Sequence, residues 1–336
     1  MRTRLVMLLL CIIIPLLFIA GLFIGSVQIA PADVLAALAD NGTTDEIIRI
    51  IVLETRLPAV ATAALAGLAL AVAGLLMQTA FSNPLAGPSI MGISSGASLG
   101  VALVLLAFPA ALGLWGRLAT IGSAFLGAMA VMAILALFSS LVRSTTILLI
   151  VGILIGYLAS SAISLLNFFA SSESVHSYVL WGLGSFNSIS LGDLPWLASL
   201  CVGLTLLTAL LAKPLDALLL GERYAANVGV DIARVRSILL ILSGALTAAV
   251  TAWCGPIGFI GLAVPHIARL LTATNVHRRL IPATALCGAA TGLICQILST
   301  APALSRGILP VNAITPLIGV PVIVYVLLRR KKLSYS

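Results

Sequence analysis

The chain has 336 residues, of which 61% are hydrophobic and only 8% charged. A soluble surface needs about a quarter of the residues charged, so this composition excludes a soluble globular protein and describes a polytopic membrane protein. The net charge of +8 therefore carries no message about nucleic acid and has to be resolved by side of the membrane.

At roughly 20 apolar residues per span, the length allows about ten helices in a single all-α membrane domain, 1–336. Apolar windows place them at 5–24, 60–78, 90–108, 119–142, 147–168, 194–212, 237–253, 259–271, 283–298 and 313–328. The first window contains Leu8-Leu9-Leu10-Cys11, faintly like a lipoprotein signal, but a bulky residue precedes the cysteine and the apolar run continues to Ile24, so it reads as an uncleaved span. Cys11, Cys201, Cys254, Cys287 and Cys295 sit in or beside apolar runs without metal-ligand spacing and read as small core residues.

With the first residue inside, the cytoplasmic segments collect Arg2, Arg4, Arg143, Lys213, Arg223, Arg234, Arg236, Arg269, Arg278, Arg279, Arg329, Arg330, Lys331 and Lys332. The outer segments keep Arg49, Arg56, Arg117 and Arg306, together with most of the acids. This bias puts both termini in the cytoplasm.

The long polar interruption at 213–236 then faces the cytoplasm. Pro214 suits a first helical turn, Gly221 can end one short helix and release the next at Glu222, and Gly229 can close that second helix with a left-handed cap. A compact helical knob is expected. Its Leu218, Leu219, Leu220, Tyr224 and Val228 need an apolar receiver, which is either the lipid headgroup region or another protein.

Energy must come from elsewhere. The three lysines, Lys213, Lys331 and Lys332, stand in no Gly-x-x-x-x-Gly-Lys-Ser/Thr setting, so no phosphate-cradling loop is present. The predicted span cores hold no Asp or Glu, which points away from an ion-coupled secondary transporter, the competing class. No nucleophile-base pair, paired carboxylates or His/Cys cluster stands among the spans either, so an enzyme is not expected. Gln78, Asn83, His266 and Arg269, with Pro84 and Pro265 beside them, and Gln296 are the notable polar groups near the membrane, and each can satisfy backbone opened by a proline.

Small residues recur at helix-packing spacing in Gly96/Gly100, Gly152/Gly156 and Gly288/Gly292. Gly87-Pro88 and Gly255-Pro256 lie half a chain apart and each leads into an apolar, glycine-containing span. The two preceding helices start on opposite faces, a pattern that fits an inverted repeat.

Several segments together resemble one family, the FecCD-type permease subunits of ABC importers for iron-siderophores, haem and vitamin B12. Arg56-Leu57-Pro58, Gly67 to Gly74, Gln78, Asn83-Pro84-Leu85-Ala86, Pro88, Gly92 and Gly96-Ala97 match its first signature. Trp181-Gly182-Leu183-Gly184-Ser185 resembles its Trp-x-x-Gly-Ser element. Leu220-Gly221-Glu222 with Ala225 and Gly229 resembles its cytoplasmic loop, and Gly255 to Leu262 with Pro265-His266 and Arg269 its second signature. Leu309-Pro310-Val311 and Leu317 to Pro321 resemble the last.

The resemblance implies the type II ABC importer permease fold of ten helices in the cytoplasmic (inner) membrane. Two permease subunits, copies or paralogues, would flank a central path above two ATP-binding cassette ATPase subunits, with a periplasmic or lipid-anchored substrate-binding protein outside. ATP and magnesium would sit on the ATPases and no cofactor on this chain. In that picture Leu220, Gly221, Glu222, Ala225 and Gly229 belong to the coupling element that enters the ATPase. The spans at 147–168 and 313–328 line the path, and Ser144, Thr145 and Thr146 mark a cytoplasmic gate or a plain turn. Arg56 and Arg306 would receive acidic residues of the binding protein, unless Arg56 pairs with Glu54 or anchors its helix end. The sequence departs from the family at Ala59 for a common Arg, Ala301 for an outer Arg, Ile308 for Glu and Asn312 for Gly, all bearing on the outer face. The expected cargo is a ferric siderophore, with haem or cobalamin as alternatives.

Overall fold

A computed structural model describes residues 2–39, 45–108, 116–142, 144–301 and 307–333, and among these every regular element is helical. Arg306 of the expected docking pair lies outside the described residues. The helices are α1 (Arg2–Phe23), α2 (Pro31–Leu38), α3 (Glu46–Ile50), α4 (Leu57–Ala80), α5 (Ile93–Ala102), α6 (Gly116–Leu141), α7 (Thr145–Phe169) and α8 (Ser172–Gly182). After them come α9 (Leu194–Ala209), α10 (Ala212–Leu219), α11 (Glu222–Asn227), α12 (Ile232–Cys254), α13 (Ile260–Thr272), α14 (His277–Thr300) and α15 (Val311–Leu333).

Among the described residues six stretches are long and apolar enough to cross a membrane: α1, the continuous Glu46–Ala80, α6, α7, α12 and α14. A seventh arises if α9 and α10, bent by 58°, count as one span, and Ile93–Ala107, Ile260–Thr272 and Val311–Val326 are shorter apolar helices. Each expected span therefore has its helix. The sequence reading gave no helix to α2, α3 or α8, which are 8, 5 and 11 residues long and carry mixed polarity.

Side-chain size sorts the helices by depth. The mostly buried spans α4, α12 and α14 are rich in Ala, Gly, Ser and Thr, whereas α1 and α7, mostly exposed, carry Leu, Ile and Phe toward the surroundings. Lipid tails are as apolar as Leu, so burial alone does not draw spans together, and small residues that let backbones meet take that role. A Cβ on Gly288 would stand 2.3 Å from the Gly67 carbonyl oxygen and one on Gly292 2.0 Å from that of Ala63, which fixes α14 against α4. Gly96 and Gly100 pack likewise on α6, and Gly152 on the segment entering α5. All three small-residue pairs of the sequence thus lie at helix contacts.

The two Gly-Pro sites behave alike. Gly87-Pro88 leads to α5, which begins after Gly92 at φ +75°, and Gly255-Pro256 leads to α13, which begins after Phe259 at φ +66°.

Sidedness follows from contacts. The Arg2 side chain donates to the carbonyls of Leu270 and Leu271 at the end of α13, and Thr3 Oγ1 to that of Thr272. The α13–α14 turn in turn touches α10, so the start of α1 and the 213–236 knob share one end of the molecule.

Candidate functional site

The knob is the pair α10 and α11. Gly221 joins them at φ +104° and Gly229 ends the second at φ +86°, both in the left-handed region that the sequence requires of glycine there. No atom stands within 4 Å of a Cβ built on either, so backbone conformation alone holds those positions for glycine. Leu215, Leu218 and Ala225 are buried beneath the pair, while Leu219, Leu220, Tyr224 and Val228 are exposed on it. Of the five apolar side chains singled out in the sequence, Leu218 turns into the protein and four face outward as one patch.

Polar bonds mount this knob on the membrane helices. Glu222 pairs with the buried Arg236 of α12 at 2.6 Å, and Asp231 caps α12 by accepting from the backbone N–H of Arg234. Asp216 of α10 accepts from both the backbone N–H (2.7 Å) and the Nδ1–H (2.8 Å) of His277, the first residue of α14. A carboxylate at that position also suits the positive end of the helix dipole. His277 is 0% exposed, and its Nε2 lies 2.9 Å from the Thr79 hydroxyl at the end of α4. Asp216, His277 and Thr79 thus form a three-residue connection from knob to central helix. The sequence analysis did not single out His277, whose partners lie 61 and 198 residues away.

Of the near-membrane polar residues, Gln78, Asn83, His266 and Arg269 gather beside this connection, whereas Gln296 donates to Asn187 (3.1 Å) in the cavity that Arg56 borders. Gln78 donates to the Leu262 carbonyl (3.1 Å) and accepts from Arg269 (2.6 Å), and His266 Nε2–H donates to the Pro84 carbonyl (2.8 Å). Asn83 accepts from the backbone N–H of Leu85, closing a local turn. Gln78, Pro84, His266 and Arg269, with Thr79, Ser82, Asn275 and Leu219, border a cavity of 260 Å³ against the knob. The α4 and α13 signatures are therefore one site: Gly74 backs onto Gly261 so closely that a Cβ would fall 1.7 Å from its carbonyl oxygen. Pro265 is buried in α13 beside His266.

A second cavity, of 540 Å³, opens between α5, α7, α8 and the turn before α13. Hydroxyls dominate its wall: Ser89, Ser94, Ser95 and Ser98 on one side, Ser160 and Ser164 of α7 on the other, and Tyr178 of α8 between them. Burial pushes the Tyr178 phenol above its ordinary value, with the Ser98 hydrogen bond opposing, so the phenol stays neutral. No charged side chain and no histidine lines this cavity among the described residues. Asn312 closes it by donating to the Pro256 carbonyl (2.6 Å) and accepting from the Gly258 backbone N–H (3.1 Å). The signal for Asn312 was its departure from a family glycine, which has no side chain to make these bonds.

At the other sequence-predicted positions the outcome is mixed. Ser144 caps α7 by accepting from the backbone N–H of Ile147 (3.4 Å), and Thr145 and Thr146 form its first turn, so all three belong to the start of the helix. Arg56 is put to a different use from an exposed docking side chain. It is 6% exposed and donates to the carbonyls of Leu22 (2.8 Å), Phe23 (3.2 Å) and Val27 (2.5 Å), where α1 ends without intrahelical partners. The π-helical turn Ile51–Arg56 brings it there. No group of three or more metal-ligating side chains occurs among the described residues.

Comparison with known proteins agrees with this geometry. The chain is 34% identical over 330 residues to the hemin transport system permease protein HmuU of Yersinia pestis, covering 94% of this chain and 95% of that one. It is 34% identical over 313 residues to the vitamin B12 import system permease protein BtuC of Vibrio cholerae, covering 92% and 89%. A solved structure of a metal-chelate type ABC transporter in an inward-facing conformation superposes with a TM-score of 0.83 at 28% identity, over 97% of this chain and 99% of that one. The FecCD transport family matches residues 10–329, a range that takes in the knob, the α4–α13 site and the hydroxyl-lined cavity alike, and the chain belongs to that family.

Proposed function

We propose that this chain is the membrane permease of an ABC importer, passing a ferric siderophore inward while a separate ATPase subunit hydrolyses ATP. The observation that carries this reading is the knob: an exposed apolar patch of Leu219, Leu220, Tyr224 and Val228 on a two-helix unit bonded to α12 and α14. A patch that merely floated in headgroups would need no such mounting. An apolar patch received by another subunit does, because push and pull have to reach the spans.

Cargo follows from the hydroxyl-lined cavity. Neutral hydroxyls hydrogen-bond the amide, catecholate or hydroxamate oxygens of a ferric chelate without fixing a charge, so cargo enters and leaves. Haem would gain from a histidine for its iron and cations for its propionates, and that wall has neither. Cobalamin, with its neutral amides, is the second reading that the same wall favours. At 540 Å³ the cavity holds part of such a chelate, and a facing permease subunit, a copy or a paralogue, supplies the opposite wall. An outer substrate-binding protein delivers the cargo, and Ser144, Thr145 and Thr146 lie where the gate would close.

The test is reconstitution in proteoliposomes with the cognate ATPase and binding protein. ATP-dependent uptake of a ferric siderophore, competed weakly by haem, is expected. Uptake by this chain alone under an ion gradient would replace the ABC reading with secondary transport, and uptake of haem or cobalamin alone would reassign the cargo.

A further inference from the structure

We infer that the cavity between the start of α1 and the start of α14 binds the phosphate-bearing headgroup of an anionic phospholipid, with Arg4 and Arg279 as its ligands. The cavity measures 430 Å³ and is lined by Thr3, Arg4, Met7 and Arg279. Both arginines are exposed. Three carboxylates lie at this end of the molecule, and each is engaged elsewhere: Asp216 with His277, Glu222 with Arg236, and Asp231 on the first turn of α12. Neither Arg4 nor Arg279 has a carboxylate partner among the described residues. Two guanidiniums facing one cavity without an internal anion repel each other, and an anion from outside that bridges them removes the repulsion.

Position decides which anion. Arg2 is spent on the carbonyls that end α13, and Thr3 on Thr272, so the start of α1 is held in place and Arg4 is presented beside Arg279 rather than left on a free tail. Below the arginines the wall turns apolar at Met7, which follows Arg4 by three residues and shares its helix face. The outer face of α1 continues this surface through Leu8, Ile12, Leu16 and Ile19, all exposed. A guanidinium pair at headgroup level with an apolar groove beneath is the shape of a phospholipid, phosphate above and acyl chain below. Free phosphate uses only the upper half.

The experiment is native mass spectrometry of the full-length chain in detergent, titrated with dioleoyl-phosphatidylglycerol or dioleoyl-phosphatidylcholine. Preferential retention of phosphatidylglycerol is expected. The double variant Arg4→Gln/Arg279→Gln should weaken it about 25-fold, roughly fivefold per arginine, while Arg278→Gln, on the neighbouring exposed arginine outside the cavity, changes it less than about twofold. Arg4→Lys/Arg279→Lys should keep most of the binding, and Met7→Trp, which fills the apolar wall, should lose it with both arginines present. Equal retention of the two lipids overturns the inference, as does an equal loss from Arg278→Gln, which would mean diffuse surface charge. Displacement of phosphatidylglycerol by millimolar inorganic phosphate overturns it too, because the site would then read the phosphate alone.

Discussion

Arg56 shows how one side chain serves the fold where its neighbourhood in the sequence suggests recognition. Two of its three acceptors end α1 and the third, Val27, lies four residues beyond, so removing the guanidinium leaves the end of α1 without donors, at a cost of about 1–3 kcal/mol. Arg56→Gln is expected to lower the thermal unfolding midpoint in detergent while leaving binding-protein affinity per folded permease unchanged. Intact stability with lost capture would restore the docking role. Docking at the outer face is then tested on Arg306: Arg306→Glu should weaken capture of the binding protein, more at low salt, and unchanged affinity would remove Arg306 from the interface. What hid the inward turn of Arg56 is distance along the chain, since its acceptors lie 29 to 34 residues earlier. The same holds for His277, whose partners Asp216 and Thr79 stand 61 and 198 residues away. A single sequence announces a residue's type but not the element it will meet.

At the scale of elements, the knob was legible because its signals are local. Pro214, Gly221 and Gly229 each dictate backbone within a turn of themselves, and α10 and α11 begin and end around them. The spans were legible for a similar reason, since an apolar run declares its own solvent. By contrast α2 and α8 carry start signals, Pro31 in the first turn of one and the Ser171 cap of the other, but their 8 and 11 residues of mixed polarity make no apolar run that would declare a span. Two variants test the knob as a transmitting element. Gly221→Val strains a φ of +104° by about 1–3 kcal/mol with no clash to blame, and Asp216→Ala severs the bond to α14. Both should leave binding-protein-stimulated ATP hydrolysis within a few-fold of wild type and reduce uptake about tenfold or more. Uptake that stays proportional to hydrolysis in both would return the patch to the lipid surface.

For the whole molecule, the shared end of α1 and the knob makes topology a single choice. A C-terminal alkaline-phosphatase fusion should be inactive and one placed in the α2–α3 connection active, because the basic residues crowd the knob end. The reverse pattern would turn the molecule over. Packing at this scale rests on backbone meeting backbone. Gly74→Val would drive side-chain atoms into the Gly261 carbonyl, where no flexible neighbour can yield, and is expected to cost about 3 kcal/mol or more and to lower the yield of folded protein. Near-normal yield and melting would mean that α4 and α13 part easily. The burial of α4 also sets a timetable for biosynthesis. Its close neighbours α12, α13 and α14 are translated some 150 to 220 residues after it, so when α4 leaves the ribosome the faces it will turn to them have only lipid or the insertion machinery to lie against, with α1 the earlier helix span it touches. Until the last third of the chain arrives, the nascent permease is a set of loose hydrophobic rods, open to quality-control proteases, and a message truncated before α14 should yield fragments that are inserted but short-lived.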